Sequence, residues 1–196
     1  CARVIKQVGC MHQLNIYKKN NNIMKARIDF EQWPIDLLID YALKIHHRTI
    51  REVGPELLYR IGKLSAEHDD LSTIYELFSE SLTDLDEHLM KEENILFPLV
   101  DDIRRAAIEN KQLGGFHCGT VQNPISVMMA DHVGETDRHN RIAELTNNYT
   151  APAGSNEEYQ AVLNGLKEFK EALLEHIYIE DELIFPQAIA LEGEVR

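Results

Sequence analysis

The sequence predicts an all-α protein built as an up-down four-helix bundle. Four segments of about 25 residues carry apolar side chains at steps of three, four and seven, the period of a helix with one buried face. No segment shows the alternation with period two that is typical of a β-strand. A histidine–glutamate motif also occurs twice, once in each half of the chain, and indicates two similar helical hairpins.

The first two predicted helices form the first hairpin. Helix one is predicted over residues 34–64, because Pro34 fits the first helical turn, where its missing N–H is not needed. Its apolar stripe consists of Ile39, Leu43, Ile50, Val53 and Leu57. Helix two is predicted to begin with Asp70 as its N-cap and to end near Pro98, since proline interrupts a helix. Its stripe consists of Ile74, Phe78, Leu85 and Ile95.

The last two predicted helices form the second hairpin. Residues 104–123 lose the helical pattern and include three glycines, so they are predicted to connect the hairpins. Asn123 and Pro124 form a cap followed by a first-turn proline, and they open helix three. Turn-forming residues at 148–156 separate it from helix four, which is predicted to end near Pro186. The stripe of helix four consists of Val162, Leu166, Phe169 and Leu173, and continues through His176, Glu180 and Leu183.

Charge and composition divide the chain into three parts. We predict a basic N-terminal segment of uncertain structure at 1–32, the bundle at 33–190 and a C-terminal tail at 191–196. Residues 1–28 carry six basic side chains and no acidic one, whereas the whole chain has a net charge of −13. This net charge argues against a general nucleic-acid binder, because such proteins need basic surfaces to neutralise phosphates.

Apolar runs and cysteines bear on the cellular compartment. No stretch approaches the roughly 20 consecutive apolar residues that a transmembrane helix requires, and the N-terminus shows no secretory signal pattern. The three cysteines, Cys1, Cys10 and Cys118, show neither a CxxC motif nor zinc-ligand spacing, which favours a reducing compartment. We therefore expect a cytoplasmic protein with no membrane partner.

The repeated motif carries the functional prediction. The sequence HLMKEENILFP, which begins at His88, matches HIYIEDELIFP, which begins at His176. In both copies glutamate follows histidine by four residues, as Glu92 and Glu180, so the two side chains share one helix face. The apolar stripes place this face in the core, where an ionised glutamate is costly unless it is paired or bound to a metal. The motif therefore predicts a metal site.

The other helix of each hairpin adds a histidine to this site. Helix three places His132 on its apolar stripe, and helix one offers either His46 or His47. The helical phase favours His46 slightly. Each hairpin thus supplies two imidazoles and one carboxylate, and such a mixed set suits iron, manganese or zinc rather than calcium or magnesium. Two glutamates could bridge two ions in the bundle core.

Several further histidines and acids are weaker candidates. His139 lies on the same face as His132 and is either a distant ligand or a buried histidine with a hydrogen-bonding role. Glu135, one turn from His132, is a weaker candidate for the site. We interpret the remaining three histidines as structural or surface residues; they are His12, His68 and His117.

The complete pattern resembles a known family. The order His…HxxxE…His…HxxxE and the phrases KEENILFP and NPISVMMADH resemble the di-iron repair-of-iron-centres proteins of the hemerythrin-like superfamily, over roughly residues 33–190. The resemblance implies a hemerythrin-like bundle that holds two iron ions. It favours His47 over His46, and the ligands that it implies are His47, His88, Glu92, His132, His176 and Glu180.

The resemblance also has limits. Oxygen-carrying hemerythrin supplies two histidines four residues apart from its third helix, whereas Thr136 stands four residues after His132 here. Many members of the repair family carry an N-terminal Cys-Cys pair, but Cys1 and Cys10 are far apart. Asp84 and Asp131 stand where some members carry other acidic residues near the site. A function that depends on the cysteine module is therefore not implied.

The resemblance implies a role in stress responses. Members of the family are implicated in restoring iron–sulfur clusters damaged by nitric oxide or oxidants. We therefore expect a di-iron protein that binds small diatomic ligands, takes part in this repair, meets iron–sulfur proteins as partners and forms a dimer. A redox activity on nitric oxide would fit this expectation. The alternative is a hemerythrin-like sensor or carrier of oxygen or nitric oxide without catalysis; a two-metal hydrolase ranks last, because a closed bundle admits only small molecules.

Overall fold

The computed structural model describes residues 28–115 and 119–196, and four long helices dominate this part of the chain. Three of them are interrupted by a π-helical segment. Helix α1 spans 35–65 and consists of Ile35–Tyr41, the π-helical segment Ala42–His47 and Arg48–Ser65. Helix α2 spans 72–108 and consists of Ser72–Lys91, the π-helical segment Glu92–Leu96 and Phe97–Ile108, and α3 is Gln122–Leu145. Helix α4 spans 157–194 and consists of Glu157–Tyr178, the π-helical segment Ile179–Ile184 and Phe185–Glu194. Short 3-10 turns lie at Phe30–Gln32 and Asp69–Leu71. The described residues contain no β-strand, and the all-α prediction is confirmed.

The four helices pack as an up-down bundle. α1 packs against α2 and α4, and α3 packs against the same two helices. Residues 33–196 form one compact unit. None of the helices in the described ranges is both long enough and apolar enough to cross a membrane. Most of the predicted basic segment lies outside the described residues.

An apolar core fills one end of the bundle. Its fully buried members include Ile61, Phe78, Ile142 and Leu166, one from each helix. At the other end, the segments Phe97–Ile108 of α2 and Phe185–Glu194 of α4 pack against each other. The space between the core and this contact holds the paired histidine–glutamate motifs. The bundle thus encloses these motifs from both ends.

The π-helical segments change which residues face the core. A π turn contains one more residue than an α turn, so every residue beyond it is displaced along the helical phase. The sequence predicted Ile95 in the core, but Ile95 is 57% exposed and the next residue, Leu96, is 1% exposed. Val53 was likewise expected inside but is 38% exposed, whereas Gly54 is buried. Straight extrapolation of the α-helical period was therefore wrong at Ile95 and Val53, whereas Ile50 and Leu57 of the predicted stripe are buried as expected.

The two prolines of the repeated motif do not end their helices. Pro98 and Pro186 were predicted to lie near helix ends, but α2 continues to Ile108 and α4 continues to Glu194. Each proline is the second residue of the α-helical segment that follows a π segment, where its missing N–H is tolerated. The continuation of α4 makes most of the predicted tail at 191–196 helical.

Hydrogen bonds of Tyr159 connect the starts of α2 and α4. Asp70 was predicted to cap α2, but α2 begins at Ser72, and Asp70 accepts a hydrogen bond from the Tyr159 hydroxyl at 2.6 Å. At α4 the Asn156 side chain accepts a hydrogen bond from the Tyr159 backbone N–H at 2.8 Å, which is an N-cap. Tyr159 therefore ties the start of α4 to the turn before α2.

Candidate metal centre

Five of the six predicted ligands converge in the bundle interior. One donor atom from each of them lies within 4.8 Å of the others, and all five side chains are buried. These residues are His88, Glu92, His132, His176 and Glu180. The sixth, His47, is also buried and adjoins the group, with its Nε2 atom 3.4 Å from Oε2 of Glu92.

A π-helical segment supplies one donor residue in each of three helices. Glu92 is the first residue of the π segment in α2, Glu180 is the second residue of that in α4, and His47 is the last residue of that in α1. π turns inside α-helices often mark functional sites, because they redirect side chains that a regular helix would point elsewhere. His132 lies on α3, which is a regular α-helix.

The carboxylate of Glu92 reaches imidazoles on two helices. Its Oε1 atom lies 3.0 Å from Nε2 of His88, one turn earlier on α2. Its Oε2 atom lies 3.4 Å from Nε2 of His47 on α1. One carboxylate thus presents a separate oxygen to each of two histidines.

The four imidazoles form two pairs around the two carboxylates. Nε2 of His88 lies 3.1 Å from Nε2 of His132, and the ring centroids of His47 and His176 are 5.2 Å apart. Oε2 of Glu180 lies 3.2 Å from Nε2 of His132 and 3.4 Å from Nε2 of His176, so Glu180 also contacts both pairs.

Many polar atoms of this group have no hydrogen-bond partner among the described residues. They are both carboxylate oxygens of Glu92 and Glu180, both ring nitrogens of His176 and Nε2 of His47. The contacts of 3.0–3.4 Å between these groups do not have the alignment of hydrogen bonds. Buried polar atoms without partners are costly, and a bound cation would satisfy them. The donor set therefore fits a metal.

Carboxylates on the outer side orient three of the imidazoles. Oε1 of Glu93 lies 2.8 Å from Nδ1 of His47, and Oδ1 of Asp181 lies 2.8 Å from Nδ1 of His132. Oδ2 of Asp131 lies 3.3 Å from Nδ1 of His88. Each contact leaves Nε2 pointing toward the centre, and such outer partners fix ring orientation and make the imidazole a stronger ligand.

Two of these outer residues were missed by the sequence analysis. Glu93 directly follows Glu92, and Asp181 directly follows Glu180, so the repeated motif extends to a second acid in both copies. In both copies that acid contacts the histidine of the neighbouring helix within the same hairpin. The repeat was the signal that could have identified them.

Charged groups shift the pKa values of three histidines upward, namely His47, His88 and His132. Burial alone would lower the pKa of His47, but contacts with carboxylates, Glu180 and Glu92 foremost, raise it to about 10. Burial would also lower the pKa of His132, but contacts with the carboxylates of Asp181 and Glu180 raise it to about 10. In the metal-free protein, protons on these imidazoles therefore balance the buried carboxylates.

The two central glutamates are shifted in opposite directions. Burial opposes the ionisation of Glu92, but His47 and His88 hold its pKa well below the usual value. Burial and the charge of Glu92 raise the pKa of Glu180. Burial lowers the pKa of His176 well below its usual value. A cation in this space would replace protons, because metal ligands bind in their deprotonated forms.

His46 lies beside His176, at a ring-centroid distance of 5.6 Å, but its nearest carboxylate is that of Glu175. Nε2 of His46 lies 3.5 Å from Oε1 of Glu175, and the Tyr41 hydroxyl donates a hydrogen bond to the same oxygen at 3.3 Å. His47, by contrast, contacts Glu92. Both histidines of the π segment Ala42–His47 are buried, and the choice between them as a metal ligand stays a prediction.

His139 and Glu135 form a separate polar cluster toward the apolar core. Nε2 of His139 lies 3.1 Å from Oγ of Ser81, and that hydroxyl donates a hydrogen bond to Oε2 of Glu135 at 2.6 Å. Arg138 pairs with Glu135. This placement agrees with the hydrogen-bonding interpretation of His139. His12 and His117 lie outside the described residues, and the ring of His68 packs edge-on against Tyr159.

Comparison with known proteins identifies the family. A family model described as the Hemerythrin HHE cation binding domain matches residues 38–188. The iron-sulfur cluster repair protein YtfE of Yersinia pseudotuberculosis serotype O:1b (strain IP 31758) is 33% identical over 170 residues, which cover 85% of this chain and 70% of that protein. YtfE of Yersinia pestis (strain Pestoides F) is 32% identical over 170 residues, which again cover 85% of this chain and 70% of that protein. The chain therefore belongs to the hemerythrin HHE cation-binding family.

Proposed function

We propose that this chain is a non-haem di-iron protein that takes part in the repair of damaged iron–sulfur clusters. The observation that carries the proposal is the buried Glu92 carboxylate, whose two oxygens face histidines of two different imidazole pairs. Six side chains would hold the two ions; they are His47, His88, Glu92, His132, His176 and Glu180. Relatives that share about a third of their residues with this chain are named as iron-sulfur cluster repair proteins.

The donor chemistry supports iron as the metal. Imidazole with carboxylate suits iron, manganese and zinc, and bundle cores that present inward glutamates and histidines are typical of di-iron and di-manganese proteins. Bound iron would supply a redox-active centre that accepts a small diatomic ligand such as nitric oxide. The protein would hold the ions, orient the imidazoles through Glu93, Asp131 and Asp181, and exclude bulk water.

Burial of the site supports small ligands rather than large substrates. The side chains of Glu92 and Glu180 are completely buried, and His176 is 1% exposed. The α2 and α4 segments beyond the site pack against each other and cover one end. A centre enclosed in this way suits diatomic molecules. We infer a cytoplasmic stress-response protein that meets damaged iron–sulfur proteins as partners, with nitric oxide or oxygen species as ligands.

Metal analysis tests the di-iron assignment directly. Protein purified without added metal should contain about two irons per chain, given two imidazole pairs and two carboxylates. Glu92→Gln keeps the shape of the side chain but removes the bridging charge, so it should lower the iron content to about one or less. The matched control is Glu87→Gln, which changes an exposed glutamate on the same helix and should retain both irons. A single zinc per chain would overturn the assignment.

Ligand binding and repair are tested with the iron-loaded protein. Anaerobic titration of the ferrous form with nitric oxide should change its visible absorbance, whereas metal-free protein should show no change. The loaded protein should then speed the recovery of a nitric-oxide-damaged iron–sulfur enzyme, followed by its cluster absorbance, relative to loaded Glu92→Gln at the same iron concentration. Reversible ligand binding without any effect on recovery would favour a sensor or carrier instead.

A further inference from the structure

A line of aromatic rings connects the start of α1 with the histidine–glutamate centre. The rings of Trp33 and Tyr41 meet edge to face, with a centroid distance of 5.5 Å and an interplanar angle of 86°. The Tyr41 ring meets that of His46 edge to face at 5.2 Å, and the His46 ring lies 5.6 Å from that of His176. All three distances fall within the range of about 4.5–7 Å at which aromatic rings are in contact. The line therefore ends on one of the six predicted metal ligands.

This line runs from the surface into the interior. Trp33 and Tyr41 are half-buried, whereas His46 is 4% exposed and His176 is 1% exposed. Indole and phenol are the side-chain rings that lose an electron most readily. Rings in contact also exchange electrons faster than rings that are separated by solvent or by aliphatic side chains. The order of the rings thus suits electron transfer between the surface and the centre.

The hydroxyl of Tyr41 has a proton acceptor. It donates a hydrogen bond to Oε1 of Glu175 at 3.3 Å, and the Glu175 side chain is 47% exposed to solvent. A phenol that loses an electron becomes a strong acid, so its oxidation requires an acceptor for the hydroxyl proton. The same carboxylate oxygen lies 3.5 Å from Nε2 of His46, so one acidic group contacts both side chains. Tyr41 can therefore give up an electron and a proton together.

Other aromatic rings beside the centre do not share this chemistry. Phe97 and Phe185 are equivalent residues of the repeated motif, and they stack on the α1 and α3 histidines at 5.9 Å and 6.0 Å. Their hydrocarbon rings are much harder to oxidise than a phenol and carry no acidic proton. The second hairpin has Ser126 six residues before its α3 histidine, where the first hairpin has Tyr41 six residues before His47. The oxidisable rings thus approach the centre from the first hairpin.

We propose that Trp33, Tyr41 and His46 form an electron-transfer relay that returns electrons from the surface to a metal centre oxidised beyond its working state. The proposal rests on the proposed di-iron function and adds a protective role to that site. The centre takes one electron from Tyr41 through the rings of His46 and His176. The hydroxyl proton of Tyr41 passes to the Glu175 carboxylate, and Tyr41 becomes a neutral radical.

Trp33 and a small thiol complete the cycle. Trp33 gives one electron to the Tyr41 radical, which takes its proton back from Glu175. The Trp33 indole releases its own N–H proton to water. Because Trp33 is half-buried, a small thiol can reach it from the surface, give a hydrogen atom to the indole radical and leave as a thiyl radical. The net reaction moves one electron from the thiol to the centre and one proton from the thiol to water.

Radical transfer in the metal-free protein tests the outer part of the relay without any iron. Azide radicals oxidise indoles in preference to phenols at neutral pH, so the first product should be the radical of Trp33, the only tryptophan of the chain. Its visible absorption band should decay as the tyrosyl band grows, at a rate independent of protein concentration. Tyr41→Phe should abolish this growth. The matched control is Tyr59→Phe, at an exposed tyrosine further along α1, which should retain it.

Oxidation of the iron-loaded protein tests the inner part of the relay. Ferrous protein mixed with hydrogen peroxide and frozen rapidly should show a tyrosyl radical by electron paramagnetic resonance. Tyr41→Phe should lose this signal, and so should His46→Leu, which removes the ring between Tyr41 and His176. His46→Leu should keep the radical transfer from Trp33 to Tyr41 in the metal-free protein, because that step does not involve His46. Iron content and thermal unfolding of each variant check its site and its fold.

Each unfavourable result has a distinct meaning. Failure of the unmodified protein to bind iron would overturn the proposed function itself. Normal iron loading without a tyrosyl signal, or with a signal that survives in Tyr41→Phe, would leave that function standing and overturn the relay. Loss of iron in His46→Leu would identify His46 as a ligand and overturn its part in the relay. The results for Tyr41→Phe decide the proposal even where His46→Leu fails to fold.

Discussion

Nδ1 of His132 lies 2.8 Å from Oδ1 of Asp181, the residue that directly follows the central Glu180. This contact repeats the one between His47 and Glu93 in the other hairpin, also at 2.8 Å. The inner glutamate and the next acid along α4 thus serve the same histidine from two sides, since Glu180 reaches Nε2 of His132 at 3.2 Å.

Removal of the Asp181 charge should weaken metal binding. Asp181→Asn keeps the size of the side chain but replaces the carboxylate that orients His132, so we expect a loss of about 10- to 100-fold in ferrous ion affinity. The measurement is an anaerobic competition titration against a ferrous chelator. Glu182→Gln, at the exposed neighbouring residue, is the control and should bind as the unmodified protein does. Equal affinities of the two variants would contradict this role of Asp181.

The stability of the metal-free protein should fall as pH rises. His47 and His132 have folded-state pKa values of about 10, above the value of about 6.5 expected in the unfolded chain. A raised folded-state pKa stabilises the fold fully below pH 6.5, and this stabilisation is lost as pH rises toward 10. Urea unfolding of metal-free protein should therefore give a lower free energy of unfolding at pH 9 than at pH 6.5.

A variant connects this pH dependence to the site. In His132→Gln one of the raised histidine pKa values is absent, so the free energy of unfolding should decline less steeply between pH 6.5 and pH 9. A slope unchanged by this substitution, or a stability that rises over the same pH range, would show that these imidazoles are not protonated in the folded metal-free protein.

The different burial of Ile95 and Leu96 in the π segment of α2 predicts unequal losses of stability for two adjacent substitutions. Ile95 is 57% exposed, so Ile95→Ala should change the free energy of unfolding by no more than about 0.5 kcal/mol. Leu96 is 1% exposed, so Leu96→Ala should cost about 2–5 kcal/mol through lost burial and the cavity left behind. Urea unfolding of the two variants gives the comparison. The reverse order would indicate a regular α-helix at this point.

The polar cluster beyond the site should affect stability but not metal content. His139 contacts Ser81 and stacks on Phe169 with a centroid distance of 5.6 Å, so His139→Gln should cost about 1–3 kcal/mol of folding free energy. The variant should still bind as many ferrous ions as the unmodified protein, measured by metal analysis after anaerobic loading. Loss of an ion would mean that His139 is a ligand after all.

The sequence alone determined the fold class and the chemical types at the centre. Periodic apolar residues on four long segments required four helices, because each helix must bury one face. The repeated histidine and glutamate at a spacing of four placed both donors of each motif on the buried face, since one helical turn separates them. His88, Glu92, His176 and Glu180 were therefore identifiable from local spacing.

The tertiary structure decided what local spacing could not. The choice of His47 over His46 as the neighbour of Glu92, and of Leu96 over Ile95 as a core residue, depends on π segments that add a residue to a turn. The contact of Asp181 with His132 joins residues 49 positions apart on different helices. The packing of the helices decides such contacts. The periodicity of one helix specifies which of its own residues are buried, but it does not specify which side chains of the neighbouring helix contact them.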